Sequence, residues 1–401
     1  MNDICLPRTL THAPYTHNHA YPTSRTWSRD GTTLLVESSG PGPGGQVGGG
    51  VRHLTAIDIQ TLRETHLAAI EPHSPSEPSG CYQFDYAPGA HAVVYYDLGG
   101  RRMTLLHLAT MQSGMVMEES EGVICGPPAI SHDGTLVAWW ATYPSVENRF
   151  FDSYVSVVFS LDVDPVQCRA AGEPVIVVAY PRRKGGTWAQ DPVDGVHVNH
   201  PQINPADKGH LCYSHEMRGT PPDGSEAMSR LWEARADGSG NRCLVRQPAG
   251  LHFTHEVFAP DGKSLIFPYM HGVGQVTFDT GRVRSLYYNP ECCPGHITVS
   301  PDGLWFAGET WGQEKHSIMM GHIPTRSYAH LCWIPMSHGH PSHPHANFSP
   351  DGDHIATVIL DEDDNCQVAV IDVADVKARW DEVAEGTAEA ASPQWVAAFG
   401  E

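Results

Sequence analysis

A short turn signature that recurs seven times is the feature that most restricts how this chain can fold. Most copies end in Asp-Gly, several carry Pro just before it, and a run of apolar residues follows. Pro presets the φ angle of the first turn position and Asp-Gly tolerates left-handed backbone, so each copy predicts a tight turn between two antiparallel strands. The copies are Ser28-Arg29-Asp30-Gly31, Ala87-Pro88-Gly89, Ser131-His132-Asp133-Gly134, Asn204-Pro205-Ala206-Asp207, Ala259-Pro260-Asp261-Gly262, Ser300-Pro301-Asp302-Gly303 and Ser349-Pro350-Asp351-Gly352.

The segments between these turns predict the fold class. Most copies are followed by a further apolar strand and a second turn, as in HLTAIDIQTLRE and QVAVIDVADVK. Seven such units are typical of an all-β protein, a seven-bladed β-propeller with four-stranded antiparallel blades. Two stacked β-sandwiches or a β-helix are the alternatives, but neither explains one turn signature for every four strands.

We expect residues 1–401 to form a single β-propeller domain, because no Ser/Gly linker or long charge run divides the chain. The stretch of about 374–401 is rich in Ala and Glu, which predicts a tail packed on or outside the blades. Pairing of N-terminal residues into the last blade is expected of propellers, although this sequence does not show it.

The acidic composition narrows the range of partners. With 25 Lys and Arg against 46 Asp and Glu, the net charge is −21, which argues against a nucleic-acid or anionic-membrane partner. The N-terminus lacks the basic and apolar regions of a signal peptide, and no apolar run reaches the roughly 18 residues of a membrane span, so a cytoplasmic protein is expected. The 10 cysteines are scattered without C-x-x-C pairs, as expected of reduced thiols. The oligomeric state is left open.

Histidine is frequent, with 25 residues, and several histidines lie at a fixed distance before a turn. His255, His296 and His345 each lie six residues before the turn Asp, and His200 lies seven before Asp207. If the strand before each turn is the innermost of its blade, equal spacing gives equal height in the channel. The register therefore predicts a group of imidazoles at one mouth of the propeller.

The run His338-Gly-His340-Pro-Ser-His343-Pro-His345 adds further nitrogen ligands. His343 and His345 are two residues apart, so on a strand both point to the same face. Together with His255 and His340 they offer three or four imidazoles, a set that suits Mn, Fe, Ni, Zn or Cu. A lone histidine is more often a surface or a buried hydrogen-bonding residue, but H-P-H with an in-register partner favours a metal site. Three N-terminal histidines fit a place at the same mouth and a cap on the first blade equally well: His12, His17 and His19.

Four stretches between Val196 and Leu360 have a recognisable local pattern, and three of them contain histidine. They are His200-Pro201 with Cys212-Tyr213-Ser214-His215-Glu216, Arg230-Leu231-Trp232 with Ala236-Asp237-Gly238, Thr254-His255-Glu256 with Pro260-Asp261-Gly262, and Ser342-His343-Pro344-His345 with Phe348. In that order they resemble the segments H-P…C-H-E, R-M-W…D-G, T-H-E-F-W-V-P-D-G and T-H-P-H-P-S-F of the oligogalacturonate lyases, cytoplasmic propeller enzymes that split short galacturonate oligomers by β-elimination. The first half of the chain shares only the turn repeat with that family.

The resemblance implies roles for individual residues. His255, His343 and His345 are then metal ligands, with Mn2+ the expected cation, and His215 is the catalytic base. Where the family has glutamine three residues before H-P-H, this chain has His340, a substitute ligand that can change metal preference.

The chemistry of the reaction is consistent with these roles. The C5 proton of a 4-linked uronate becomes acidic when a divalent cation neutralises the adjacent carboxylate, and an imidazole has a suitable pKa to remove that proton. Arg230 or Arg218 would hold a second carboxylate. We place Arg230 with the catalytic group and Arg218, His200 and His296 with substrate binding.

We therefore expect a metal-dependent lyase that cleaves short uronate oligosaccharides. One alternative is a related lyase for a different uronic-acid-containing oligosaccharide, because the same metal and base would serve any 4-linked uronate. The other is a TolB-like binding or scaffold propeller without catalysis, which would have no need of in-register histidines.

Overall fold

The computed structural model describes residues 3–40, 50–70, 84–97, 101–143, 153–183, 197–216, 230–248, 251–311, 316–335 and 343–400. His340 and Arg218, two of the predicted site residues, lie outside the described residues. In chain order the strands are β1 (Arg8–Thr9), β2 (Thr16–His19), β3 (Thr33–Ser39), β4 (Arg52–Asp58), β5 (Glu64–Ile70), β6 (Phe84–Ala87), β7 (Ala92–Asp97), β8 (Arg102–His107), β9 (Gln112–Glu118), β10 (Ile124–Cys125), β11 (Ala129–Ile130), β12 (Leu136–Tyr143), β13 (Ser153–Asp164), β14 (Arg169–Ala170), β15 (Val175–Arg183), β16 (His197–Ile203), β17 (His210–Glu216), β18 (Leu231–Arg235), β19 (Arg242–Cys243), β20 (Val257–Phe258), β21 (Ser264–Tyr269), β22 (Gly272–Thr277), β23 (Val283–Tyr288), β24 (Cys293–Val299), β25 (Trp305–Trp311), β26 (His316–His322), β27 (Ser327–Ile334), β28 (Asn347–Phe348), β29 (His354–Leu360), β30 (Cys366–Asp372) and β31 (Gly386–Thr387). The helices are α1 (Ala374–Ala378), α2 (Trp380–Val383) and α3 (Pro393–Phe399).

In the described part of the chain these strands form seven antiparallel sheets, so the protein is a seven-bladed β-propeller, as predicted. Blades one, two, four and five have the strand orders β2-β3-β4-β5, β6-β7-β8-β9, β16-β17-β18-β19 and β20-β21-β22-β23. Two blades exceed the predicted four strands: the third contains β10 to β15, and the sixth contains β24 to β27 with β31 added at its edge.

The seventh blade is completed by the N-terminus. Its order is β1-β30-β29-β28, so its outermost strand comes from the start of the chain. Arg8 pairs with Val370 and Thr9 with Ala369. Next along the chain, the Thr11 hydroxyl donates to the Gln367 side chain at 2.8 Å. The sequence does not show this closure, because the pairing strand is only two residues long.

The recurring turn is held by hydrogen bonds that its residue types provide. In four copies the Ser hydroxyl donates to the Asp carboxylate two residues later, at 2.5 to 2.7 Å. The following Gly has φ between 71° and 77° in these copies, a left-handed conformation that disfavours side chains with a Cβ. The copies are those that begin at Ser28, Ser131, Ser300 and Ser349.

The chain divides into two compact units, residues 1–82, 254–275 and 283–401, and residues 83–253 and 276–282. The first unit holds blades one, six and seven with most of blade five; the second holds blades two, three and four. Within each unit, apolar clusters lie between consecutive blades, as where Trp27 and Leu34 of the first blade pack with Val368 of the seventh. That residues 1–401 form a single domain stays a prediction.

The C-terminal residues pack on blades of the first unit through two tryptophans. Trp380 is edge-on to Trp305 at 4.8 Å and donates its indole N–H to the Ser327 hydroxyl at 2.6 Å. Trp395 lies 4.5 Å from the Tyr269 ring. None of the helices found in the described residues has the length and apolar character to cross a bilayer.

The turn glycines give a test of the fold. We expect Gly303→Ala to lower the free energy of unfolding by about 1–2 kcal/mol, the cost of a Cβ in left-handed backbone. No atom lies within 4 Å of the added Cβ, so the loss comes from the backbone alone. Gly172→Ala is the matched control, because its Cβ also meets nothing within 4 Å and its φ is not positive. Urea unfolding measures both, and equal stability of the two variants would contradict this account of the turn.

Candidate metal centre and candidate base

Three histidines of the first unit form a compact group. The ligand nitrogens of His296, His343 and His345 all lie within 4.8 Å of one another. His296 and His345 are buried, at 1% and 0% exposure, and His343 is half-buried. The ring of His296 lies 4.3 Å from that of His345 and 5.4 Å from that of His343. Three imidazoles this close can act as ligands of one transition-metal ion.

The H-P-H segment is fixed by the strand beside it. The Pro344 carbonyl accepts hydrogen bonds from the Val358 amide at 2.8 Å and from the Thr357 hydroxyl at 3.0 Å. His345 then has φ of 46°, which is left-handed and unusual for a residue with a side chain. The chain enters β28 two residues later, so the histidines lie where the first strand of the seventh blade begins.

His296 reaches the group from a β-bulge. The pairing of β24 with β25 shifts register between Pro294 and Ile297, which places His296 inside the bulge. The backbone of His296 then comes so close to Gly308 that a Cβ there would lie 2.2 Å from the His296 carbonyl oxygen. Glycine at 308 is therefore required for His296 to keep this position.

Glu309 orients the His296 ring. Its carboxylate accepts from Nδ1 of His296 at 2.5 Å and from the His296 backbone amide at 2.9 Å, and its side chain is only 1% exposed. With Nδ1 protonated in this contact, the lone pair of the neutral ring resides on Nε2. Carboxylates commonly hold metal-binding histidines in this way, so the donor set fits a divalent cation.

The predicted ligand His255 lies next to this group. Its ring is 3.9 Å from that of His296, and its backbone is left-handed with φ of 47°. The third member of the compact group is nevertheless His296 and not His255. The sequence analysis placed His296 with substrate binding. Tyr21 packs against the histidine group, with its ring centroid 5.3 Å from that of His296 and 5.0 Å from that of His345. The ligand roles of His255, His340, His343 and His345 stay predictions.

Two N-terminal histidines are buried in the first unit. Nδ1 of His17 is 2.9 Å from the Ser38 hydroxyl, and Nδ1 of His19 donates to the Ala20 carbonyl at 2.8 Å. Burial lowers the pKa of each to about 4, so both rings are neutral near pH 7. His19 also lies against the backbone of Pro344 and His345, beside the H-P-H segment.

The second unit holds the predicted base, His215, on β17. Its side chain is 5% exposed and its ring stacks on Tyr180 at 4.1 Å, with an interplanar angle of 27°. Trp232 is edge-on to it at 5.3 Å. The His215 amide donates to the Arg230 carbonyl at 2.9 Å, so the two residues predicted for catalysis are neighbours in the sheet.

His200 is the other predicted residue of the second unit. It lies on β16, where the pairing with β17 shifts register between Asn199 and Gln202. Its φ is 47°, and its amide donates to the Asn199 side chain at 2.8 Å. His200 and His215 are therefore on neighbouring strands of the fourth blade.

Together the fold and the first-unit histidines define a class: a β-propeller with a buried imidazole group suited to a divalent cation. No family model matches the sequence. Over 121 residues the chain is 26% identical to the oligogalacturonide lyase of Pectobacterium atrosepticum, which covers 28% of this chain and 29% of that protein. The chain therefore matches less than a third of that relative's length.

The fold similarity extends over nearly the whole chain. An oligogalacturonate lyase in complex with manganese has a TM-score of 0.71 at 17% identity, over 92% of this chain and 94% of that one. The oligogalacturonate lyase of Vibrio parahaemolyticus gives 0.70 at 16% identity, over 91% and 93%. Hydrazine synthase of Kuenenia stuttgartiensis gives 0.53 at 15% identity, over 89% and 97%. The resemblance to oligogalacturonate lyases indicated by the motifs is thus confirmed, locally in sequence and globally in fold.

Glu309 allows a direct test of the metal centre. We expect Glu309→Gln to weaken Mn2+ binding by about 10- to 100-fold, because the amide no longer holds His296 through a charged acceptor. Isothermal titration of the metal-free protein with MnCl2 measures this. Glu118→Gln, which removes an exposed partner of Arg102, is the control and should leave the affinity unchanged. Equal affinity of the two variants would show that Glu309 does not support a metal ligand.

Proposed function

We propose that this protein is a metal-dependent lyase that cleaves short 4-linked uronate oligosaccharides, of the oligogalacturonate kind, by β-elimination. The observation that carries the proposal is the group of His296, His343 and His345, found in a chain whose fold resembles a manganese-bound oligogalacturonate lyase. A propeller that only displays a protein-binding face has no need of three histidines whose ligand nitrogens lie within 4.8 Å of one another.

In this proposal the cation is held by His296, His343 and His345, with His255 and His340 as the further ligands that the sequence predicts. Mn2+ is the expected metal, from the resemblance and from the manganese in the similar structure. When bound, a divalent cation acts as a Lewis acid toward the uronate carboxylate and makes the C5 proton more acidic. His296 and His345 are buried, so water has little access to their nitrogens. Glu309 holds the His296 ring through Nδ1 and so keeps Nε2 as its ligand atom.

His215 acts as the base. Its imidazole takes the proton from C5, the electrons of that C–H bond form the C4–C5 double bond, and the C4–O bond breaks. The leaving oxygen takes a proton from water. A neutral imidazole suits this step because histidine side chains in general can take up a proton near neutral pH and add no negative charge beside an anionic substrate.

Arg230 binds a carboxylate in this proposal, since a guanidinium can donate two parallel hydrogen bonds to it. Its backbone carbonyl accepts from the His215 amide, which keeps Arg230, just before β18, beside the proposed base on β17. His200 and Arg218 are proposed to bind substrate as well. A cytoplasmic location, a uronate oligosaccharide as the partner and the absence of nucleic-acid or membrane partners are part of the same proposal.

Ultraviolet absorbance tests the reaction, because a C4–C5 double bond conjugated with the carboxylate absorbs. Mn2+-loaded protein should raise the absorbance of digalacturonate. His215→Ala and His343→Ala should each lower the rate by at least about 100-fold, the usual contribution of a general base or an essential metal. His66→Ala removes an exposed histidine of the first blade and should leave the rate unchanged.

Other short uronides, assayed in parallel, identify the substrate. Faster cleavage of a glucuronate-containing fragment would favour the related lyase with a different uronide. A flat trace with every uronide, in protein shown by titration to hold metal, would rule out the lyase.

A further inference from the structure

The imidazole of His215 is enclosed by aromatic rings from two strands. Tyr180, on β15 of the third blade, stacks on it at 4.1 Å. Trp232, on β18 of the fourth blade, is edge-on to it at 5.3 Å, and the Tyr180 and Trp232 rings are themselves 6.2 Å apart at 74°. Tyr180 therefore stacks on one face of the imidazole, and Trp232 packs beside the imidazole at nearly a right angle.

Tyr180 is fixed at its hydroxyl end. Tyr213 donates to the Asn241 side-chain oxygen at 2.7 Å, which leaves the Tyr180 hydroxyl to donate to Tyr213 at 2.8 Å. The Asn241 amide returns a hydrogen bond to Tyr180 at 3.4 Å. Burial raises the pKa of Tyr213 far above its usual range, so its hydroxyl stays protonated and the triangle of contacts persists across the working pH range. The Tyr180 ring is thus held in one orientation.

We propose that Tyr180 is a positioning residue for His215: its ring face sets the plane of the imidazole and stabilises the positive charge that the imidazole acquires on taking a proton. The proposal rests on the proposed function, since it assigns His215 as the base. A π face attracts a cation within about 6 Å, and more strongly where water is excluded. The uncharged ring gains little from this contact, so the stabilisation is larger after proton transfer than before it.

The groups around His215 have contacts of their own. Arg230 offers its backbone carbonyl to the His215 amide, and Tyr213 bonds to Tyr180 and Asn241. His200 lies on the neighbouring strand β16. A positive charge on Arg230 or His200 would oppose an imidazolium at His215, whereas the π face of Tyr180 favours it.

Two substitutions separate the ring face from the hydroxyl. Tyr180→Phe keeps the π face and loses the hydrogen bond, and Tyr180→Leu keeps an apolar side chain and loses the π face. Nuclear magnetic resonance titration of histidine-labelled protein, with His215 assigned from the His215→Ala spectrum, measures its pKa. We expect Leu to lower this pKa by about 0.5–1.5 units and Phe to change it by less than half as much. Tyr180→Met replaces the Leu variant if that variant does not fold.

Kinetics give the second readout. With Mn2+ and the uronide that the wild type cleaves, Tyr180→Leu should lower kcat by about 3- to 30-fold with little change in KM, and should move the acid limb of the pH–rate profile to lower pH. Tyr180→Phe should keep most of the activity. Equal His215 pKa values in the wild type, Phe and Leu proteins would overturn the proposal. If no uronide is cleaved by the wild type, the proposed function fails, and the titration still decides whether Tyr180 stabilises protonated His215.

Discussion

The hydrogen-bonded turn between the first two strands of a blade sets the register on which the rest of the structure depends. A Ser hydroxyl and backbone amides converge on one Asp carboxylate, and the left-handed Gly that follows lets the chain reverse at once. Because the turn has a fixed length, a residue six positions before the Asp lies in or just before the first strand of its blade, as do His255, His296 and His345. The local backbone still differs, since His296 lies in a bulge while His255 and His345 are left-handed.

These histidine positions are also places of backbone strain. His200, His255 and His345 have φ of 46° to 47°, each just before or inside the first strand of its blade. Such a conformation costs of the order of 1–3 kcal/mol for a residue with a side chain and persists only where the surroundings enforce it. At His345 the enforcement is visible, since Val358 and Thr357 both hold the Pro344 carbonyl. The left-handed backbone takes these side chains out of the regular alternation of a strand. This supports a role in binding for these residues rather than a role as packing residues of the core.

The sequence predicts the features that depend on local chemistry. The turn copies identify the blades because Asp and Gly act within the turn itself, and the H-P-H run identifies His343 and His345 because both are local in the chain. The features it misses depend on strand pairing. Glu309 meets His296 across a bulge, Tyr180 reaches His215 from the preceding blade, and β1 completes the seventh blade across the length of the chain. The same bulge brings a ligand nitrogen of His296 within 4.8 Å of those of His343 and His345, which spacing from the turn alone does not show.

The net charge of −21 bears on how an anionic sugar would be captured. At physiological salt, charges more than about 8 Å apart are largely screened, so the distributed acidic residues act weakly on a ligand that is already at the site. Many of these carboxylates are also held in turns, where hydroxyl and amide donors stabilise their charge, as at Asp30 with Ser28 and Thr32. The residues proposed for function are instead imidazoles and one arginine, together with a cation. An uncharged base at position 215 fits this arrangement better than a carboxylate. A carboxylate there would repel the uronate at short distance, where salt does not screen the repulsion.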